Sequence, residues 1–539
     1  MTKYIKITIL SVVSSILFLA CTKDLDQTPI NKDSFTELEV FKTKTEAKGA
    51  LAKIYAALAL TGQQGPAGDG DIQNFDEGFS QFTRLQFTMQ EASTDHAVFG
   101  WGDQGLPDFH AMNWTSSNMF SEGMYYRLAQ EVSFTNSFIT NAEKLADDED
   151  IQLYIAEARF LRAYAYYNLL DLYANIPLAT KVQTTLPEAS NRTEVFNFVE
   201  SELIAIESLL ATSKSNEYGR VDETAAHALL SRLYLNAEVY TGTARYDDCI
   251  TYASKVINSA YIINTNDGNN SGSAYDELFL ADNNTNGAQN EFIYAMNFDG
   301  NHSQTWGGST FLVHASVGGK IMNPSDFGID GGWAGLRTTK ALVSKFTATD
   351  NDTDGNPIKW ADKRAMFHVE GQNIDITDIG TFEDGYAVTK FKNIDINGNP
   401  GVDPAKQMVD TDIPVIRVAE IYLNYAEAVA RGGAGGSEAE AVGLINQLRE
   451  RAFGNANGNI DADELTLDFI LDERSRELYW EGFRRTDLVR YGQFTTADYL
   501  WPFKGNAING TSVGNHRNVF PIPANVLLVN PNLTQNSGY

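Results

Sequence analysis

The stretch EARFLRAYAYYNLLDLYANIPL, residues 157–178, decides how this chain folds. Extended back to Leu153, it places Leu153, Ala156, Phe160, Ala163, Tyr164, Tyr167 and Leu170 at offsets of 0, 3, 7, 10, 11, 14 and 17 residues. That spacing follows the turn of an α-helix and predicts one long helix with a single apolar stripe.

Outward from this helix the same period returns over 194–210, 222–240 and 246–258, with Gly219 and Gly242 as punctuation. The first helical block thus runs from about residue 45 to 260. Helices of this length joined by short turns predict stacked pairs of the tetratricopeptide kind, although no clean repeat of about 34 residues is visible. A second block covers 414–491. There Val418, Ile421, Tyr422, Tyr425 and Val429 form one stripe, Ala441, Leu444, Ile445 and Leu448 another, and GGAGG at 432–436 separates them. Between the blocks, residues 261–413 are rich in Asn, Asp and Gly and hold short apolar runs such as EFIYAM at 291–296. They read as irregular loops and small strand pairs. A second loop-rich stretch covers 61–120. The fold class is therefore mostly α, with the loops gathered into a face where binding residues belong.

Composition narrows the function classes. The 539 residues are 43% hydrophobic, 11% aromatic and 21% charged, as in a folded globular protein. The formal net charge is −29, and residues 1–20 contribute only Lys3 and Lys6, so the rest carries about −31. Such a surface repels phosphate backbones, which argues against a nucleic-acid partner and leaves a neutral polysaccharide open.

The first twenty residues, MTKYIKITILSVVSSILFLA, read as a secretory signal, too short for a dependable membrane span. Cys21 follows directly, as in a lipobox, although Phe18-Leu19 replaces the usual Leu-small pair. Acylation of Cys21 would fix the chain, residues 21–539, to a membrane. The acidic run Thr22-Lys23-Asp24-Leu25-Asp26 resembles the tag that sends lipoproteins to the outer face of the outer membrane. The other cysteine, Cys249, lies in an expected helix and reads as buried and inert.

No catalytic constellation stands out. The seven histidines show no HExxH spacing, so no metal site is expected. Gly510-Thr511-Ser512-Val513-Gly514 fits the nucleophile elbow GxSxG but sits in Asn- and Gly-rich sequence, where it reads as a loop. Asp350, Asp352, Asp354 and Gly355 match the first half of a calcium loop. Ala361 stands where the closing Glu should be, so a polar turn is the better reading and no cofactor is expected. The run from Asp472 to Arg490, dense in both charges and interleaved with Leu478, Tyr479, Trp480 and Phe483, reads as a partly buried ion-pair network that fixes helix packing.

Four long motifs carry a family resemblance. Residues 157–178, IPVIRVAEIYLNYAEA (413–428), DERSRELYWEGFRRTDLVRYGQF (472–494) and the ending FPIPANVLLVNPNLTQNSGY (520–539) resemble, in order, the conserved segments of SusD/RagB lipoproteins. With the lipoprotein start, the resemblance spans nearly the whole chain. It implies a SusD-like fold, a surface glycan-binding role without catalysis, and a SusC-like TonB-dependent transporter as partner. Residues 65–106 are further similar to the starch-binding branch. That implies a glucan site using Arg84 and Trp101, with Gln104 where the branch has Asn, Asp103 beside it, and further aromatics from among Tyr294, Trp306 and Trp333. An α-glucan is then the first expectation and a laminarin-like β-glucan the second. A surface glycoside hydrolase and a scaffold that binds only proteins are the readings from other classes. The chemistry agrees: aromatic faces stack on the C–H face of a sugar, while Arg, Asp and Gln bond its hydroxyl rim. Gly100 and Gly102 flank Trp101 and should leave its indole free to project.

Overall fold

The computed structural model describes residues 41–68 and 70–539. The expected signal at 1–20 and Cys21 lie outside the described residues. None of the described helices is long and apolar enough to cross a membrane.

The central helix spans Glu149–Tyr173, and Asp148 caps it by accepting from the Asp150 N–H. Its expected single stripe is a correction: every residue from Phe160 to Tyr173 is buried. A helix apolar on all sides belongs inside other helices. Here Lys44–Ala59, Met119–Ala142 and Arg192–Ile206 pack around it. Ala156, Ala158, Ala163 and Ala165, all fully buried, allow that close approach.

The stack then propagates pair by pair. Arg192–Ile206, opened by a capping box between Asn191 and Glu194, packs on Glu223–Leu235. That helix packs on Tyr246–Ile257, which in turn packs on Val418–Ala430, and Val418–Ala430 on Glu438–Phe453. Cys249 sits at this junction, with Sγ near the Asn424 carbonyl, and burial pushes its thiol up to about 12. It is an inert core residue.

The segment between Ile257 and Val418 leaves the stack and returns. Its two ends are fastened by antiparallel strands Phe292–Met296 and Ile413–Arg417, with Ile413 opposite Met296 and Ile416 opposite Tyr294. Inside the excursion lie short hairpins and short helices, the longest of which, Gly308–Ser316, packs on the helix Phe82–Gln90. A second strand pair, Val98–Phe99 with Leu336–Arg337, joins the two loop-rich regions into one face.

The calcium-like run forms the tip of a hairpin. Asp352 accepts from the Asp354 and Asn356 N–H groups and from Asn356 Nδ2, and Gly355 adopts φ +87°. Asp395 does the same with Asn397 and Asn399, and Gly398 adopts φ +81°. DTDGN and DINGN are thus one turn built twice, and its leading Asp is occupied by backbone donors. Among the described residues no group of three or more His, Cys, Asp or Glu is placed to hold a metal.

The charged run 472–490 forms a buried seam, deeper than the sequence predicts. Glu477 accepts from Arg417 at 2.6 Å and Arg364 at 3.1 Å, and also pairs with Arg451. Glu291 bridges Arg417 and Arg451 at 2.9 and 2.7 Å, while Glu481 joins Arg417 to Lys390. Burial alone would push the Glu477 carboxyl up, but Arg451, Arg417 and Arg364 overcome it and hold it well below the usual carboxylate range. The seam ties the excursion to the C-terminal helices.

Candidate functional site

Arg84 is the second residue after Phe82 in a nine-residue helix whose N-terminus is capped by Gln81. Gln81 Oε1 accepts from Arg84 N–H and also from Gly308 N–H at 2.8 Å, so one side chain fixes the starts of two helices. A Cβ on Gly307 would fall 2.3 Å from the Gln81 Cβ, which explains glycine there. Through this joint the Arg84 guanidinium lies over the buried Phe311 ring at 4.8 Å and near Trp101 at 5.8 Å. Burial lowers its pKa to about 10, opposed by Asp76 and Asp103, so it stays cationic at neutral pH. Among the described residues it makes no ion pair and no side-chain hydrogen bond.

Trp101 leaves the short strand Val98–Phe99 through Gly100, which is packed against Arg337 and the Ile379 carbonyl. Its indole stacks on Phe99 at 5.8 Å and donates from Nε1 to the Trp333 carbonyl at 3.2 Å. It lies so close over Gly335 that a Cβ there would come within 2.2 Å of the ring. The expected free projection is therefore corrected: the indole is half-buried and held in place by Phe99, Gly335 and the Trp333 carbonyl.

Trp333 follows, 6.5 Å from Trp101, and Trp306 lies 6.1 Å beyond it. All three are half-buried. His314 stacks beneath Trp333 at 4.8 Å, and its ring nitrogens approach the Gly331 and Gln407 carbonyls at 2.6 and 3.0 Å. Burial pushes the imidazole pKa down, against those carbonyls and Asp330. Asp103 and Gln104 are exposed at the open end of the row.

The structure thus brings Arg84, Trp101, Asp103, Gln104, Trp306 and Trp333 to one face and removes Tyr294 from it. Tyr294 is 2% exposed in the strand Phe292–Met296, with its ring edge-on to Tyr55, Phe160 and Tyr164. A strand buried on both sides makes it core. Sequence reasoning missed Phe311, His314 and Gln81, which hold the row from behind. The apolar run STFLVHAS at 309–316 was the available signal for a helix inside the loop region.

A Ser–His–carboxylate chain does occur. His96 Nδ1 meets Glu91 at 2.8 Å and Nε2 meets Ser475 Oγ at 2.6 Å. The three residues are 0–2% exposed, and the other Glu91 oxygen accepts from Gly482 and Phe483 N–H. The chain braces packing and offers a substrate no access. The GxSxG run at 510–514 lies in neither a helix nor a strand.

A profile described as the SusD family matches residues 371–539, and one described as starch-binding and associating with the outer membrane matches 42–235. The starch-binding protein SusD of Bacteroides thetaiotaomicron is 36% identical over 579 aligned positions, covering 100% of both chains. The chain belongs to the SusD family. SusD-like protein P38 of Formosa agariphila is 26% identical and covers 100% of this chain and 99% of its own. A SusD-like carbohydrate binding protein from Bacteroides fragilis superposes with a TM-score of 0.70 at 19% identity, over 92% of this chain and 100% of its own. Surface glycan-binding protein A from Bacteroides fluxus gives 0.67 at 20% identity, over 92% and 100%. The mostly helical SusD-type architecture expected from the sequence is the one observed.

Proposed function

We propose that this SusD-family chain is a non-catalytic receptor that captures a neutral polysaccharide on the face formed by Trp101, Trp333 and Trp306. One observation carries the reading: three half-buried indoles follow one another at 6.5 and 6.1 Å, beside an arginine fork with no hydrogen-bond partner among the described residues. Each ring offers a stacking surface, and Arg84, Asp103 and Gln104 supply donors and acceptors for hydroxyl groups. An α-glucan is the first ligand we assign, supported by the 36% identity to a starch-binding protein. A β-glucan of the laminarin type is the second. Isothermal titration with maltooligosaccharides and laminarioligosaccharides tests this. Binding to the first series alone is the expected result, and binding to neither removes the reading.

The same proposal places the chain at the cell surface, anchored through Cys21 to the outer membrane, handing its ligand to a SusC-like TonB-dependent barrel. The match to a profile named for outer-membrane association supports the location. Cys21→Ala should move the protein from the membrane to the soluble fraction. Gentle detergent extraction should bring down the barrel with the wild-type chain. A protein that emerges alone and binds no glycan would instead be a helical scaffold. Release of new reducing ends from a bound polysaccharide would make it a hydrolase.

A further inference from the structure

Beside the tryptophan row lies a separate open cleft, bounded by residues 318–322, 368–372 and 382–383, with a volume of about 380 Å³. Its size is that of clefts that take small ligands, about 300–1,000 Å³. Its lining combines the two things a sugar ring needs. Ile321 is 50% exposed and Phe382 forms an apolar wall, while Glu370 and Glu383 present carboxylates that pair with no cation among the described residues.

Glycines keep the walls thin. A Cβ on Gly319 would lie 3.2 Å from Glu383 Oε1 and 3.3 Å from the Phe382 ring, and one on Gly371 would lie 2.8 Å from Ile321. Both glycines have positive φ, +67° and +72°, so the bare backbone at the cleft is built in.

The cleft adjoins the row. A Cβ on Gly318 would meet Ala334 at 2.5 Å, and one on Gly332 would meet the Val317 carbonyl at 2.1 Å, so the rim touches both neighbours of Trp333. On the other side, Arg337 lies 5.9 Å over the Phe382 ring, donates to the Ile379 carbonyl at 2.6 Å and packs against Gly100, the residue before Trp101.

We propose that this cleft is a second sugar subsite, which receives residues of the same polysaccharide to the side of Trp333. This rests on the glycan-binding reading above. The Glu370 and Glu383 carboxylates, neither in a direct ion pair among the described residues, accept hydrogen bonds from sugar hydroxyls, and Lys320 adds a donor to the lining.

The test is titration of wild type, Ile321→Ser and Glu370→Gln with maltotriose and maltoheptaose, and in parallel with laminaritriose and laminariheptaose. Ile321 and Glu370 are exposed, so thermal melts should stay at the wild-type value. In the series that binds, wild type should gain about tenfold in affinity from three to seven residues, and each variant should lose most of that gain while its trisaccharide affinity holds. A length gain that survives in both variants, or a wild type with none, overturns the subsite. A wild type that binds no oligosaccharide of either series defeats the tryptophan-row reading itself, and the subsite with it.

Discussion

Arg417 and Arg84 show what one residue type does in two settings. Arg417 is 1% exposed and gives its donors to Glu291, Glu477, Glu481 and the Glu477 carbonyl. Arg84 lies on two aromatic rings and gives its guanidinium donors to no described residue. The first arginine is saturated and therefore structural. The second, partly buried beside the indoles, keeps its donors free of described partners, and the proposed site rests on that difference.

The largest effect should come from breaking the saturated region. Glu477→Ala leaves three arginines buried beside an empty acceptor and should cost about 3–5 kcal/mol in chemical denaturation. Little loss would mean that water or neighbouring acids can replace the carboxylate, and the seam would no longer count as structural. Trp480→Ala belongs to the same region. Trp480 is 2% exposed and donates to the His96 carbonyl, so its loss should cost about 3–5 kcal/mol of stability while binding persists in the folded fraction.

Asp412 sharpens the contrast, because it is buried and pairs with no cation among the described residues. Burial pushes its carboxyl up to about 7, opposed by the Phe298 N–H and the Tyr218 hydroxyl, with Asp410 and Asp299 adding to the rise. A carboxyl whose folded pKa lies above its unfolded value of about 4 favours the fold below that value, and this contribution is lost as pH rises through about 7. Wild-type stability should fall across that window relative to Asp412→Asn by on the order of a few kcal/mol. Equal pH profiles for the two proteins, measured by urea titration, would remove Asp412 from the account.

The surface region should answer in affinity. Trp101→Ala should lower glycan affinity by about thirty-fold or more, near 2 kcal/mol. Because the indole also packs on Phe99 and Gly335, this variant should lose about 1 kcal/mol of stability as well. Normal binding, or outright unfolding, would make Trp101 a core residue. The smallest effect should be Arg84→Lys, which keeps the charge but loses the fork: about tenfold weaker binding with an unchanged melt. Full affinity in that variant would mean that only charge matters there.

The helices were legible because burial writes a period into sequence. Leu153 to Leu170 and Val418 to Val429 fall in helices as spaced. The ion-pair reading of 472–490 was legible for a similar reason: acids and bases alternate among apolar residues at helical spacing. The site was legible only through resemblance. The apolar run EFIYAM around Tyr294 was the local signal that it is core, whereas Trp333 sits among glycines and ends half-buried. Their fates depend on which distant segment folds over them. DTDGN was legible as a polar turn from the missing closing Glu, but its kinship with DINGN emerged only from the shared hydrogen bonds.

The excursion fastened by Phe292–Met296 and Ile413–Arg417 also sets an order of events during synthesis. Tyr246–Ile257 can pack early on Glu223–Leu235, but it meets its second neighbour only when Val418–Ala430 has been made, so part of its apolar surface stays uncovered while the intervening segment leaves the ribosome. Contacts so distant along the chain slow folding and lengthen the time during which apolar surface is exposed. The helices N-terminal to residue 257 can pair early, but the stack cannot close, nor the loops that carry the tryptophan row settle, until the last quarter of the polypeptide arrives. A chain truncated after the excursion should therefore remain a sticky half-stack, and the cell gains a simple check: only a finished molecule can hold its loops in place.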